Sequence, residues 1–299
     1  MVVSDYPHLH TSAKPWAAED AAARIRRVRT DRWIAYARAD SALAAMEDLL
    51  TFPKRTRMPN LLLVGPTNNS KTMIVEKFRR GHPGLSADRA EDGVASIPVV
   101  HIQMPPGPDE KRFFGAILDA LGMSAWSREG LCQRQDAAVQ VMRATNVRLL
   151  IVDELHNLLS GPPGQQRRML NLLRWIGNEL QIPLVGVGTA EALRAIRSDE
   201  QLVNRFEPIA LPVWKDGPEY RRLLSTLEAV LPLREASGLS SAPVATHIMA
   251  TSEGVLGEII ALVTRAAVAA IDCGEERISL EMIEDAAFIA PSERRRVAV

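Results

Sequence analysis

The sequence predicts an α/β protein in which a parallel sheet flanked by helices carries a phosphate-binding loop, with a helical extension before it and a small helical domain after it. Three observations lead there. Short apolar runs alternate with amphipathic stretches between residues 60 and 197; a near-match to the P-loop pattern follows the first run; and strand-like runs stop near Trp214 while helical periodicity continues. Strands alternating with helices make a parallel sheet covered on both faces. With 299 residues, 46% hydrophobic and 24% charged, the chain has room for about two domains and falls outside the disordered and low-complexity classes.

Along the chain, the first twenty residues hold Pro7, Pro15 and scattered histidines without a period, and are expected to form an arm. Beyond Ala17, Ile25, Val28, Ile34, Leu43, Met46, Leu49 and Leu50 recur at roughly helical spacing, which predicts one or two helices before Pro53. The run NLLLVG at 60–65 reads as a strand buried on both faces, and KTMIVEKFRR after it as a helix. Similar runs at 97–102, 149–152 and 183–187 predict further strands, with helices near 111–122, 133–145, 166–180 and 190–197. The expected domains are therefore an arm and helical extension at 1–55, a P-loop core at 56–214 and a helical lid at 215–299.

Charge and composition narrow the function classes. Lys plus Arg and Asp plus Glu are 36 each, so any nucleic-acid binding must rest on local patches rather than on net charge. Arg24, Arg26, Arg27, Arg29 and Arg32 concentrate on the first helix, and Lys54, Arg55 and Arg57 precede the first strand; such runs are either solvated faces or phosphate contacts. Cys132 and Cys273 lie too far apart for a zinc module or a disulfide framework. With no leader pattern and no run of about 18 apolar residues, a cytoplasmic protein without a membrane partner is expected. Trp33, Trp126, Trp175 and Trp214 are scattered, and are assigned to core or interface rather than to base stacking.

The chemistry is concentrated in two motifs. Gly65-Pro66-Thr67-Asn68-Asn69-Ser70-Lys71-Thr72 departs from GxxxxGK[ST] only at Ser70, where glycine is usual. Such a loop wraps backbone N–H groups around phosphate oxygens, while Lys71 reaches the β and γ oxygens of ATP and Thr72 offers a hydroxyl to Mg²⁺. Downstream, Arg148-Leu149-Leu150-Ile151-Val152-Asp153-Glu154 is an apolar strand ending in two carboxylates. Charge at the end of a buried strand calls for a compensating ligand, so Asp153 is read as a holder of Mg²⁺ and Glu154 as the group that polarises the attacking water. The simpler alternative for Asp153 is a helix cap. His156 is read as a helix-start residue rather than a catalytic one.

These motifs, followed by PLVGVGT, resemble the AAA+ branch of P-loop ATPases. The resemblance implies that Thr189 is a first sensor of the γ-phosphate and that Arg205, in Gln201-Leu202-Val203-Asn204-Arg205-Phe206, is a finger reaching the nucleotide of a neighbouring subunit, with Arg194 and Arg197 as surface arginines. It also implies a ring or helical filament. The stretch Glu253-Gly254-Val255-Leu256-Gly257-Glu258-Ile259 lacks the arginine of the family's second sensor, none following until Arg265, which points to slow hydrolysis. The loop before Lys111 and Arg112 lies where initiator-type members line a DNA channel, and makes that pair the candidate DNA contacts.

More specifically, Arg32-Trp33-Ile34, Tyr36, Arg57-Met58-Pro59-Asn60 with the strand after it, Thr67-Asn68-Asn69, Phe78 and His82-Pro83 resemble the TniB family of transposon ATPases, relatives of TnsC. That resemblance implies a regulator of DNA transposition that assembles with ATP on double-stranded DNA with little sequence preference. It would present that DNA to a TniA-like DDE transposase, with a TniQ-like target-selection protein as a further partner. The rival expectations are a helicase loader or secretion-type ATPase, and a non-hydrolysing nucleotide-dependent adaptor.

Overall fold

Runs rich in Leu, Val and Ile become four of five short parallel strands in the computed structural model, which describes residues 6–85, 95–123, 129–294 and 296. In chain order, helices α1 (Lys14–Ala17), α2 (Ala21–Arg29) and α3 (Ala37–Thr51) precede strand β1 (Asn60–Val64). Helix α4 (Lys71–Gly81), β2 (Val99–Gln103), α5 (Glu110–Ala120) and α6 (Leu131–Ala144) lead to β3 (Leu149–Asp153). A 3₁₀ helix (Leu155–Ser160), α7 (Pro163–Leu180), β4 (Leu184–Gly188), α8 (Ala190–Arg197), α9 (Glu200–Val203) and β5 (Phe206–Ala210) complete the alternation. Then come α10 (Pro218–Val230), α11 (Ala242–Ser252), α12 (Leu256–Asp272), α13 (Leu280–Glu284) and α14 (Pro291–Arg294). Trp126 lies outside the described residues.

The chain groups into two compact units, one of Ala37–Thr67 with Lys71–Leu211, the other of Met1–Tyr36, Asn68–Ser70 and Pro212–Val299. The helical extension expected at 1–55 is thus divided, α3 grouping with the sheet.

The sheet unit has strand order β2-β3-β4-β1-β5, with Leu61 opposite Val185 and Asn60 opposite Phe206. This order brings the carboxyl ends of β3, β4 and β1 side by side, the place where open α/β sheets bind ligands. Leu62, Leu63, Leu150, Ile151, Val185 and Val187 are fully buried, and Phe113, Phe114, Ile117 and Leu118 of α5 join them in the core. Trimming Leu63 to alanine should cost about 2–5 kcal/mol. Strand β5 escapes the sequence reading because its segment Phe-Glu-Pro-Ile-Ala buries little beyond Phe206, and a short edge strand does not carry the long apolar run of an interior one.

In the helical unit, α12 turns Ile259, Leu262, Val263, Ala266, Ala267 and Ala270 inward, and its alanines let neighbouring helices approach closely. Two expectations change here. The residues before α1 are packed rather than an arm: Leu9, Ala13 and Ala17 are buried together, and the His10 amide donates to Ala229 O at 2.8 Å. Arg24 is not part of a solvated face, being 2% exposed and paired through its two terminal guanidinium nitrogens with Glu276. Arg26 and Arg29 of the same helix are exposed. Trp175 packs on the sheet unit's core and Trp214 meets Tyr36 edge-on at 5.4 Å in the helical unit. Among the described residues no helix is long and apolar enough to cross a membrane.

Candidate nucleotide-binding site

Residues 65–70 join the carboxyl end of β1 to the first turn of α4. Gly65 is required by space, since a Cβ there would lie 2.7 Å from Leu211 O. Lys71 is 7% exposed and folds its ammonium back on the loop, donating to Gly65 O at 2.9 Å and Pro66 O at 2.6 Å. Burial lowers the lysine's pKa, opposed by the Asp153 and Glu154 carboxylates. Ser70 adopts φ 62° and Asn68 φ 58°. The backbone therefore uses, at Ser70, the left-handed conformation that the glycine of the usual motif adopts without strain.

Asp153 ends β3, 1% exposed, and its carboxylate is fully engaged. Thr72 Oγ1 donates to Oδ2 at 3.0 Å and the Glu154 amide to Oδ1 at 2.7 Å. The helix-cap alternative is thereby set apart, because the groups that Asp153 accepts from are its own neighbour's amide and the P-loop threonine. Glu154 takes φ 54° at the start of the 3₁₀ helix, and its Oε2 lies 3.1 Å from His156 Nε2. His101 on β2 was missed by sequence reasoning. Its Nε2 is buried without a hydrogen-bond partner, 4.0 Å from Asp153 Oδ2, and burial pushes the imidazole's pKa down against the Asp153 and Glu76 charges. The available signal was a lone polar side chain inside the run VVHIQ. Among the described residues no group of three or more His, Cys, Asp or Glu side chains could hold a metal ion.

Thr189 follows β4, beside β1 and β3, as the N-cap of α8, its hydroxyl accepting from the Glu191 amide at 3.4 Å. Lys111 and Arg112 are exposed in the first turn of α5, where Asp109 caps the helix and lies 3.5 Å from Arg112. Arg205 is apart from all of these. It precedes β5, at the amino end of the sheet, with Nη1 donating to Asn178 Oδ1 at 2.7 Å. Five residues of strand at about 3.3 Å each separate that end from the P-loop by some ~17 Å.

The two asparagines of the loop belong to the helical unit and are engaged within it. Asn69 Oδ1 accepts from the Leu256 amide at 3.1 Å, and Asn68 O from the Gly257 amide at 2.9 Å, so they satisfy the first N–H groups of α12. Asn68 Nδ2 donates to Glu258 Oε1 at 2.9 Å, and Arg294 also pairs with Glu258. Burial would raise the Glu258 pKa, but the Arg294 and Asn68 hydrogen bonds outweigh it and hold the carboxyl below its ordinary range. Arg265, the first arginine after this stretch, donates to Ala287 O at 2.9 Å.

The fold is similar to that of several solved structures. The chain resembles the Aeropyrum pernix ORC1 protein solved in complex with DNA, with 19% identity, TM-score 0.60, 88% of this chain and 68% of that one covered. The Aeropyrum pernix ORC2 protein, solved in ADPNP-ADP complexes, gives 17% identity, TM-score 0.57 and coverage of 92% and 74%. For Cdc6p from Pyrobaculum aerophilum the values are 17%, 0.60, 87% and 69%. At these identities the likeness establishes the fold, which is that of the P-loop AAA+ ATPases. No curated protein matches the chain. The model of the family described as Bacterial TniB protein matches residues 24–216, about two thirds of the length. The chain belongs to the TniB family.

Proposed function

We propose that this protein is a cytoplasmic, ATP-dependent regulator of DNA transposition that oligomerises on double-stranded DNA, with slow, DNA-stimulated hydrolysis driving disassembly. The observation that carries the reading is the grouping of Lys71, Thr72, Asp153 and Glu154 at the carboxyl ends of β1 and β3, with Arg205 at the opposite end of the same sheet. Its distance from its own copy's loop supports the reading that it serves an adjoining copy, so that a complete site would take two copies.

In this reading the amides of Gly65–Thr72 and the Lys71 ammonium bind the triphosphate, the lysine exchanging the loop carbonyls for phosphate oxygens. Thr72 Oγ1 and Asp153 Oδ2, 3.0 Å apart, are one hydroxyl and one carboxylate, the protein share of a Mg²⁺ site completed by phosphates and water. Mg²⁺ there would neutralise charge on the β and γ phosphates. Glu154 orients the attacking water, Thr189 senses the γ-phosphate and Arg205 of an adjoining copy stabilises the charge that develops. The His156 contact that holds the Glu154 carboxylate, the serine at position 70 and the absence of an arginine from 253–259 support slow turnover. Lys111 and Arg112, exposed and repeated in every copy, would contact DNA phosphates; many weak contacts along a duplex compensate for a protomer without net charge. TniA-like and TniQ-like proteins are the partners this role requires.

The test is electron microscopy of the chain with duplex DNA, with and without a non-hydrolysable ATP analogue. Nucleotide-dependent rings or filaments are expected, abolished by Lys71→Ala and made persistent in ATP by Glu154→Gln. Normal assembly of the lysine variant, or a wild-type chain that stays monomeric on DNA in every nucleotide, would overturn the reading.

A further inference from the structure

The sheet's amino end holds a feature that the proposed function leaves unused. A cleft of about 1230 Å³ opens there between the end of α3, the segment before β1 and the segment before β5, with Arg55, Arg57 and Arg205 among its lining residues and Asp48 and Glu207 as its acids. The geometry of its basic side is fixed by the backbone. Asn60 pairs with Phe206 across β1 and β5, its amide donates to Arg205 O at 2.8 Å, and its buried side chain accepts from the Leu184 amide at 2.9 Å. Met58, 4% exposed, anchors the same segment. Arg57 and Arg205 are therefore held on one end of two paired strands, facing one cleft.

Neither guanidinium is neutralised. Arg205 bonds the uncharged Asn178 side chain, and among the described residues Arg57, which is exposed, makes no ion pair. Two nearby arginines are otherwise occupied: Arg174 bonds Gln201 and Asn171 and lies 3.7 Å from Asp199, and Arg55 stacks on the Phe52 ring at 4.7 Å. Desolvation, and then the positive charges of Arg57 and Arg174, lower the Arg205 pKa, with the Asp199 carboxylate opposing them. Two like charges that share a cleft, neither of them in an ion pair with its carboxylates among the described residues, mark a place for an anion.

We propose that Arg57 joins Arg205 in a two-arginine clamp that receives the terminal phosphate of a nucleoside triphosphate held by a second copy of this chain. The proposal rests on the reading of Arg205 as a residue supplied to a neighbour. It gives the Arg57-Met58-Pro59-Asn60 stretch a division of labour, in which Met58 and Asn60 fix the backbone and Arg57 faces the incoming phosphate. Arg57 would be a catalytic residue in trans, touching the substrate of the adjoining site and leaving its own copy's nucleotide binding untouched.

The experiment measures DNA-stimulated ATP hydrolysis and binding of a fluorescent ATP analogue for wild type, Arg57→Ala, Arg57→Lys, Arg205→Ala and Lys71→Ala, alone and in pairwise mixtures. Arg57→Ala is expected to lose roughly tenfold or more of its hydrolysis while binding the analogue as wild type does, with Arg57→Lys recovering part of the rate. Mixed with Lys71→Ala, which keeps its arginines but not its nucleotide, Arg57→Ala should regain activity, because the lysine variant lends its clamp. Wild-type hydrolysis by Arg57→Ala, or a loss that mixing does not restore, would overturn the proposal. A variant that hydrolyses ATP at the wild-type rate but binds DNA more weakly would instead make the cleft a DNA contact. If mixing rescues Arg205→Ala but not Arg57→Ala, the clamp fails and the trans-acting site stands. If wild type shows no hydrolysis, both fall.

Discussion

Arg24→Ala should be among the most damaging single changes in the helical unit, although the sequence places it in a run of surface-like arginines. Its side chain is 3% exposed and that of Glu276 14%, with Arg24 Nη2 at 2.6 Å from Glu276 Oε1 and Nη1 also within reach of Pro232 O. Removing Arg24 leaves a largely buried carboxylate with only the longer Arg234 contact at 3.8 Å, and breaking such a pair costs about 3–5 kcal/mol. With an unfolding entropy of about 2.1 cal/mol/K per residue, the melting temperature of a chain of 299 residues should fall by roughly 5–8 °C. The acid dependence has a definite sign. Burial would raise the Glu276 pKa, but the Arg24 hydrogen bonds and the Arg24 and Arg234 charges outweigh it and hold the carboxyl below the ordinary glutamate range. A depressed carboxyl stabilises the fold above its unfolded-state pKa and loses that contribution as pH falls through its folded-state value. The gap between wild type and Arg24→Ala should therefore narrow in acid. Calorimetry across a pH series checks both numbers, and Arg24→Met with Glu276→Leu should recover most of the loss. A shift below about 1 °C, or a gap that widens in acid, would refute the account of the pair.

Other changes test the loop and its surroundings. Ser70→Gly removes left-handed strain of about 1–2 kcal/mol against an unfolded-chain entropy cost of about 0.4–1 kcal/mol. A net gain near ~0.7 kcal/mol is expected in denaturant titration, with Ser70→Ala as the unchanged control. Gly65→Ala forces a methyl against Leu211 O, and should cost about 1–3 kcal/mol and weaken fluorescent-nucleotide binding. Glu228 accepts the amides of Ser237, Gly238 and Leu239 at 2.7–2.9 Å. Glu228→Gln should destabilise by about 1.5–3 kcal/mol, with hydrogen exchange accelerating at those three amides.

The parts of the molecule legible in sequence are those where a local pattern carries the physics. NLLLV, VVHIQ, LLIVD and LVGVG are strands because a doubly buried strand needs consecutive apolar residues, and the P-loop and the carboxylates at the end of β3 stand out because their spacing matches a pattern tied to phosphate chemistry. What stayed hidden depends on partners distant in sequence. Arg24 looks like its exposed neighbours until Glu276, 252 positions away, is placed against it. The packing before α1 depends on the Ala229 carbonyl, and His101 acquires meaning only from the parallel register that sets β2 beside β3. The order of strands, and with it the placing of Arg205 at the far end from Lys71, is a property of the sheet rather than of any segment.

Strand β5 is an edge with a built-in refusal. The Leu211 amide donates to Val64 O and the Arg205 carbonyl accepts from Asn60, so alternation turns the amides of odd-numbered residues toward β1 and leaves position 208 directed outward. Proline there has no N–H to offer, and the exposed Glu207 adds charge beside it. A stray strand meeting this border finds an interrupted ladder. Self-association through this border by continuous β-pairing is thereby disfavoured, a safeguard against amyloid-like stacking.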